Sequence, residues 1–252
     1  MNAQPVIELH NLGKSFGKQP VLRGVNLTAQ RGETFVIIGA SGGGKSVILK
    51  HCIGLLQPDA GEVIVDGKVI STPKFIGVKT IRQRMGMLFQ GSALFDSMSA
   101  GENIKFAVRE HNRGMDEDEL DSMVEEKLKL VNLSADIRSK MPGELSGGMK
   151  KRVALARAIA LNPEILLYDE PTTGLDPVTA DVINHLILDM QHKLGVTSLV
   201  VTHDMVSAYK IADRIAMLYE GKIIFTGTPA EIRATTNPQV QQFILGQRTL
   251  LP

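Results

Sequence analysis

The chain has 252 residues, 43% hydrophobic and 22% charged, with 28 basic against 27 acidic side chains for a net charge of +1 and a mean hydropathy of +0.03. That length buries a sizeable core as one large domain or two lobes, while the near-neutral charge leaves no basic footprint for nucleic acid and the single Cys52 excludes an internal disulfide. No apolar run approaches the ~20 uncharged residues of a spanning helix and Met1-Asn2-Ala3-Gln4-Pro5 has no leader pattern, so any membrane involved is expected to be crossed by another chain.

Short β-like runs at 6–9, 21–27 and 34–38 open the chain. The third leads into Gly39-Ala40-Ser41-Gly42-Gly43-Gly44-Lys45-Ser46, followed by a helix-like stretch over 46–53. This fits G-x-x-x-x-G-K-[ST] in the strand–loop–helix setting that a phosphate loop requires. The glycines let backbone N–H groups point at phosphates, and the following helix start adds its dipole. Lys45 is placed to reach the β- and γ-phosphates and Ser46 to ligate Mg²⁺; the plain alternative is a glycine-rich turn with an accidental lysine. Cys52 falls in the same helix and reads as a packing residue.

Further β-like runs follow at 62–65 and 85–89, the first closed by the turn Asp66-Gly67 and the second by Gln90. From 101 to about 160 the pattern is helical. Within it, 116–130 carries acids in its first turns and Lys127 and Lys129 near its end, which complements a helix dipole; otherwise that acidic run is a solvated face. Ser146, Gly147 and Gly148 start a segment ending near Ala160, so hydroxyl and N–H groups at its N-terminus form a second anion site. The apolar run 165–168 then ends in Asp169 and Glu170. A buried parallel strand opens its carboxyl end on a ligand crevice, so Asp169 is placed to hold Mg²⁺ through water and Glu170 to polarise an attacking water. An acidic turn before Pro171 is the bland alternative. Segments 177–193, 198–202, 205–211, 215–219 and 222–225 continue a strand–helix alternation that implies a mainly parallel sheet covered by helices. His203 follows the apolar residues Leu199, Val200 and Val201, where a lone histidine is ordinarily a packed one. The histidines at 10, 51, 111, 185 and 192 have no metal-ligand spacing.

The pentapeptide Leu145-Ser146-Gly147-Gly148-Met149 resembles the signature of ATP-binding-cassette (ABC) nucleotide-binding domains, and other motifs of that family appear in order from about Val6 to Leu245. Gln90 matches the Q-loop glutamine, Gly174-Leu175-Asp176 the D-loop, His203 the switch histidine, and Phe16 stands where the family usually has an adenine-stacking tyrosine. The resemblance implies an α/β fold: a P-loop NTPase core of the ABC type with a mainly parallel sheet, an antiparallel β subdomain and an inserted helical subdomain. It implies one ATPase domain over 5–246, with the core and β subdomain at about 5–100 and 161–246 and the helical insert at about 101–160. It also implies hydrolysis of ATP with Mg²⁺ by a homodimer, each ATP held between the phosphate loop of one subunit and the signature of the other.

Carried over by position, the nucleotide-binding residues are Phe16, Gly39, Ala40, Ser41, Gly42, Gly43, Gly44, Lys45, Ser46, Val47, Ser146, Gly147, Gly148 and Asp176. The catalytic ones are Glu170, His203 and Gln90, and the metal ligands Ser46, Gln90 and Asp169. Two positions depart from the family pattern. Met149 replaces the usual signature glutamine, leaving the phosphate contacts to Ser146 and the glycines. Phe16 keeps a π face and loses the phenol.

The segment Gly91-Ser92-Ala93-Leu94-Phe95-Asp96-Ser97-Met98 lies where transmembrane subunits of the family insert a coupling helix. With the Leu-Ser-Gly-Gly-Met signature it is similar to the ATPases of Mla and Mce lipid transporters. That implies a peripheral subunit on the cytoplasmic face of the inner (plasma) membrane, bound to integral permease subunits, a lipid-binding MCE-domain subunit and a small accessory cytoplasmic subunit, with no nucleic-acid partner. The competing view is that Met87, Leu88, Phe89, Leu94, Phe95 and Met98 simply pack a seam. An amino-acid or other small-solute importer is the nearest different function. A soluble cassette acting on ribosomes or DNA fits less well with one phosphate loop, one cysteine and no basic surplus.

Overall fold

The computed structural model describes residues 4–72, 77–111 and 114–246; residues 1–3, part of the leader reading, lie outside the described residues. In chain order the elements begin with β1 (Pro5–Phe16), β2 (Gln19–Gln30), β3 (Thr34–Ile38), α1 (Lys45–Cys52), β4 (Ala60–Val65), β5 (Lys68–Val69), α2 (Val78–Gln83) and β6 (Met85–Leu88). Next come α3 (Ala100–His111), α4 (Glu117–Leu130), α5 (Gly147–Ala158), β7 (Ile165–Asp169) and α6 (Pro177–Leu194). The last part holds β8 (Thr197–Thr202), α7 (Met205–Ile211), β9 (Arg214–Tyr219), β10 (Lys222–Gly227), α8 (Pro229–Ala234) and α9 (Pro238–Ile244). Contacts divide the chain into two compact units, Met1–Ile81 with Thr197–Pro252, and Arg82–Val196.

The first unit contains two sheets. One is antiparallel with strand order β2-β1-β4-β5. Its long strands extend well beyond the expected runs 6–9 and 21–27, because only part of each strand alternates cleanly. Ile7, Leu9 and Leu12 are buried on β1 and Val25, Leu27 and Ala29 on β2, while polar residues and register shifts blur the outer halves. In the other sheet β3 lies between β8 and β9, parallel to both, and β10 pairs antiparallel with β9. Phe35, Val36, Ile37 and Ile38 are each 0% exposed. A strand buried on both faces reads as a continuous apolar run, which is why β3 was legible, and each such side chain contributes about 1.5–3 kcal/mol.

In the second unit β6 and β7 run parallel, with Met85 opposite Ile165 and Leu88 opposite Tyr168. Arg84 grips Glu164 through two 2.7 Å hydrogen bonds at the entrance to these strands. Ile104, Val108, Leu120, Val124, Leu128, Val153 and Leu155 supply the helical core. Asp116 caps α4, accepting from the Glu119 N–H while Glu119 accepts from the Asp116 N–H, so the acids expected at this helix start satisfy orphan donors. Asp176 caps α6, Pro177 occupies its first turn, and Gly195 at φ 66° ends it.

Candidate nucleotide site

In the first unit β3 delivers the chain into the phosphate loop. Gly39 has φ +155°, and a Cβ there would lie 2.5 Å from the Leu218 carbonyl oxygen, so only glycine lets the loop pass β9. The Gly43 N–H donates to the Ala40 carbonyl at 3.1 Å, and α1 starts at Gly44 with no side-chain cap. The first N–H groups of α1 are thereby directed to whatever the loop encloses. Lys45 is 4% exposed and its Nζ donates to the carbonyls of Gly39 at 2.9 Å and Ala40 at 3.1 Å. Ala40, Ser41 and Gly42 are exposed, Gly44 is buried, and Gly43, Ser46 and Val47 are half-buried. A loop whose close approaches leave no room for side chains, with an ammonium tethered inside it, fits the triphosphate of a nucleotide.

Phe16 ends β1, is 49% exposed and has the Lys14 Nζ 5.8 Å from its ring centroid, leaving an open π face for a base. His203 is exposed immediately after β8, which removes the packed-core alternative. Its neighbours hold the turn: the Asp204 N–H donates to Thr202 Oγ1 at 3.0 Å, and Asp204 accepts from the Val206 N–H at 3.0 Å to cap α7. His51, 1% exposed on α1, hydrogen-bonds the Val47 carbonyl through Nδ1 at 2.7 Å. Burial pulls its pKa below the usual histidine value, outweighing that bond.

In the second unit Gln90 is exposed just beyond β6. The loop after it contains Ser92 and Ala93 at φ 64° and 50°. Asn103, 0% exposed, holds the following turn: it accepts from the Phe95 N–H at 2.8 Å and donates to the carbonyls of Phe95, Met98 and Ser99. The apolar residues around Gln90 divide. Met87 and Leu88 are buried in β6, whereas Phe95 is 41% exposed and packs against Phe106, itself 38% exposed, at 4.8 Å between centroids.

Asp169 and Glu170 close β7, each 7% exposed. Glu170 has φ +49°, a left-handed conformation costly for a non-glycine residue and common at functional sites. Thr173 Oγ1 donates to Glu170 Oε2 at 3.3 Å. Ser146 caps α5, accepting from the Met149 N–H at 3.3 Å, and Ser146 and Gly147 are exposed at the helix start. Gly148 differs: it is buried, and a Cβ there would lie 2.4 Å from Thr179 Cγ2, so its missing side chain lets α6 approach α5. Asp176 accepts from the N–H groups of Val178 and Thr179, both at 3.0 Å, and from Thr179 Oγ1 at 2.6 Å. The Thr179 bonds hold its carboxyl below the usual carboxylate range.

Sequence reasoning missed Asn103, Lys151 and Arg157 as organisers of the Gln90 loop. A signal existed for one of them. Lys151 shares a helical face with Ala154 and Leu155, so a charge interrupts an otherwise apolar stripe.

Residues 22–173 match the ABC transporter family. The chain is 44% identical over 243 residues to the probable ribonucleotide transport ATP-binding protein mkl of Mycobacterium tuberculosis, covering 96% of this chain and 67% of that one. It is 38% identical over 241 residues to the intermembrane phospholipid transport system ATP-binding protein MlaF of Escherichia coli, covering 96% of this chain and 89% of that one. A dimeric ATP-binding cassette solved in a post-hydrolysis state with ADP and Pi superposes with TM-score 0.81 at 34% identity, over 88% of this chain and 98% of that one. Sequence, fold and loop geometry converge, and this chain belongs to the ABC transporter family as an ATP-hydrolysing subunit.

Proposed function

We propose that the chain powers the movement of phospholipid between membranes, as the peripheral ATPase of an integral membrane complex. The observation that carries this reading is the alignment with MlaF, which spans nearly all of both chains. The exposed Phe95–Phe106 pair beside Gln90 supports it as the place where a membrane subunit docks, since a rigid apolar patch on a soluble surface marks an interaction site. Integral permease subunits, a lipid-binding MCE-domain subunit and a small accessory cytoplasmic subunit complete the assembly, with this chain peripheral on the cytoplasmic face of the inner membrane. Among the described residues no helix is long and apolar enough to cross a membrane.

In the reaction, Lys45 and the N–H groups of residues 39–47 bind the β- and γ-phosphates, Phe16 stacks on the adenine, and Glu170 orients and deprotonates the attacking water. His203 and Gln90 contact the γ-phosphate and its water. Ser46, Gln90 and Asp169 offer hydroxyl, amide and carboxylate oxygens, a donor set suited to Mg²⁺, which supplies charge neutralisation on the phosphates when bound. In the homodimer Ser146 and Gly147 complete the site of the opposite subunit, and Asp176 stands at the start of α6 next to them.

The higher identity to mkl, named for ribonucleotide transport, favours a second reading, transport of a nucleotide. Purification of the chain with its membrane subunits decides between them. Copurifying phospholipid and ATP-dependent phospholipid transfer between vesicles are expected; ATP-dependent uptake of ribonucleotide without lipid transfer would overturn the lipid reading.

A further inference from the structure

Lys151 is an anomaly on α5. It is 4% exposed, and among the described residues it has no carboxylate partner within ion-pair distance. Its Nζ donates instead to the backbone carbonyl of Gln90. Burial lowers the pKa of its ammonium, opposed first by the charge of Asp169 and then by that of Glu170, so this cation lies in the field of both carboxylates.

The same helix fixes the rest of the loop. Arg157 donates to the carbonyls of Ser92 at 2.8 Å and Ala93 at 2.7 Å, the two residues held at positive φ, and lies 5.9 Å over the Phe95 ring. β6, which delivers Gln90, presses on α5 without a side chain between them: a Cβ at Gly86 would lie 2.2 Å from the Ala158 carbonyl oxygen. Loop, strand and helix are therefore tied together at several points. A surface lysine exchanging partners with water would not need this burial, since burying an ammonium is costly unless something compensates.

We propose that Lys151 is a positioning residue for hydrolysis, which ties the signature helix α5 to the Gln90 backbone and so sets the place of the Gln90 side chain in the chain's own ATP site. The inference rests on the reading of Gln90 as a ligand of Mg²⁺ and water. Its consequence concerns the dimer. The first turn of α5 serves the opposite subunit's ATP through Ser146, while Lys151, one turn further along, serves the ATP of its own subunit. One helix then reports the state of each site to the other, because a shift of α5 that follows the opposite γ-phosphate displaces Gln90 with it.

The test uses purified full-length chain and single-turnover hydrolysis of MgATP, with KM, cooperativity in ATP and thermal midpoint measured in parallel. Lys151→Met keeps the stem and removes the donor; Lys151→Gln keeps a neutral donor and serves if the methionine variant does not fold; Lys151→Arg keeps the cation. The expected result is a roughly tenfold slower hydrolysis for Lys151→Met with KM within about twofold, the pattern of a lost transition-state arrangement. ATP cooperativity should also fall, with most of both restored by Lys151→Arg. On a Gln90→Ala background the Lys151 substitution should add less than about twofold, since two changes acting through one group are not additive. Additive losses, a fall in rate that tracks the thermal midpoint, or wild-type turnover in a folded variant would each overturn the proposal. A Gln90→Ala chain with unchanged turnover would overturn it too, and would also show that the reading of Gln90 itself is wrong.

Discussion

Glu170 stores backbone strain just beyond β7. A side-chain-bearing residue in the left-handed region costs about 1–2 kcal/mol, and Glu170 at φ +49° remains there because β7 on one side and the Thr173 contacts on the other leave it no alternative. The positive φ falls on Glu170 and not on Asp169, in keeping with the separate tasks proposed for the two carboxylates. Glu170→Gln keeps the shape and removes the base. Hydrolysis is expected to fall by about 10²–10⁴-fold while nucleotide affinity stays near wild type; filter binding beside steady-state turnover checks it, and undiminished turnover would remove Glu170 from the mechanism.

His51 gives the phosphate-loop helix a pH dependence. Its folded pKa is depressed by burial, so the native state binds fewer protons than the unfolded chain. The stability this contributes is fully present above about 6.5, the unfolded value, and is lost as pH falls from there through the folded pKa. Thermal midpoints measured from pH 7.5 to 5 should therefore drop more steeply for the wild type than for His51→Gln, which has nothing to titrate. Parallel curves would mean that protonating His51 costs the fold nothing.

At the scale of elements, glycines in the signature separate into two jobs. Gly147 is exposed at the helix start, whereas Gly148 is spent on packing: its Cβ would meet Thr179 Cγ2 at 2.4 Å. Gly148→Ala forces α5 from α6 and should cost about 1–3 kcal/mol as an overpacked contact. Thr179→Ser removes the offending methyl and keeps the Oγ bond to Asp176, so it should recover much of the loss in the double variant. Denaturant midpoints of the four chains test this; additive effects would place the damage elsewhere. Gly148 also shows the limit of reading elements from sequence. Strands β3, β7 and β8 were legible because burial on both faces leaves an unbroken apolar run, and α4 because acids in its first turns and Lys127 and Lys129 near its end complement a helix dipole. The phosphate loop was legible because its glycine spacing is itself the backbone geometry. The outer halves of β1 and β2, α8 and α9 were not, since polar exposed positions and short length carry little period. Which glycine packs and which faces a phosphate depends on a neighbour, Thr179, that lies far along the chain. Likewise, Lys151 donates to the Gln90 carbonyl and Arg157 to those of Ser92 and Ala93, and backbone carbonyls leave no residue-type signature.

For the molecule as part of an assembly, the informative residues are those whose apolar surface the fold leaves partly uncovered. Phe95 and Phe106 are 41% and 38% exposed and meet at 4.8 Å, Phe95 on a turn that Asn103 orders and Phe106 on α3. An ordered apolar pair loses little conformational entropy when covered, and a fully covered ring of this size contributes about 1.5–3 kcal/mol. Leu94 is half-buried beside it. Replacing Phe95 and Phe106 together with serine should leave the isolated chain folded with unchanged ATP affinity, its thermal midpoint lowered only by the loss of the buried parts of the two rings. Its recovery with the membrane subunits from detergent extracts should fall by about tenfold, because the still-exposed two-fifths of each ring makes the pair worth roughly 1–2.5 kcal/mol on covering, against the 1.4 kcal/mol that a tenfold change in binding requires. Normal assembly and full phospholipid transfer by the double variant would place the docking surface elsewhere; unfolding of the isolated chain would show that the two rings belong to the core after all.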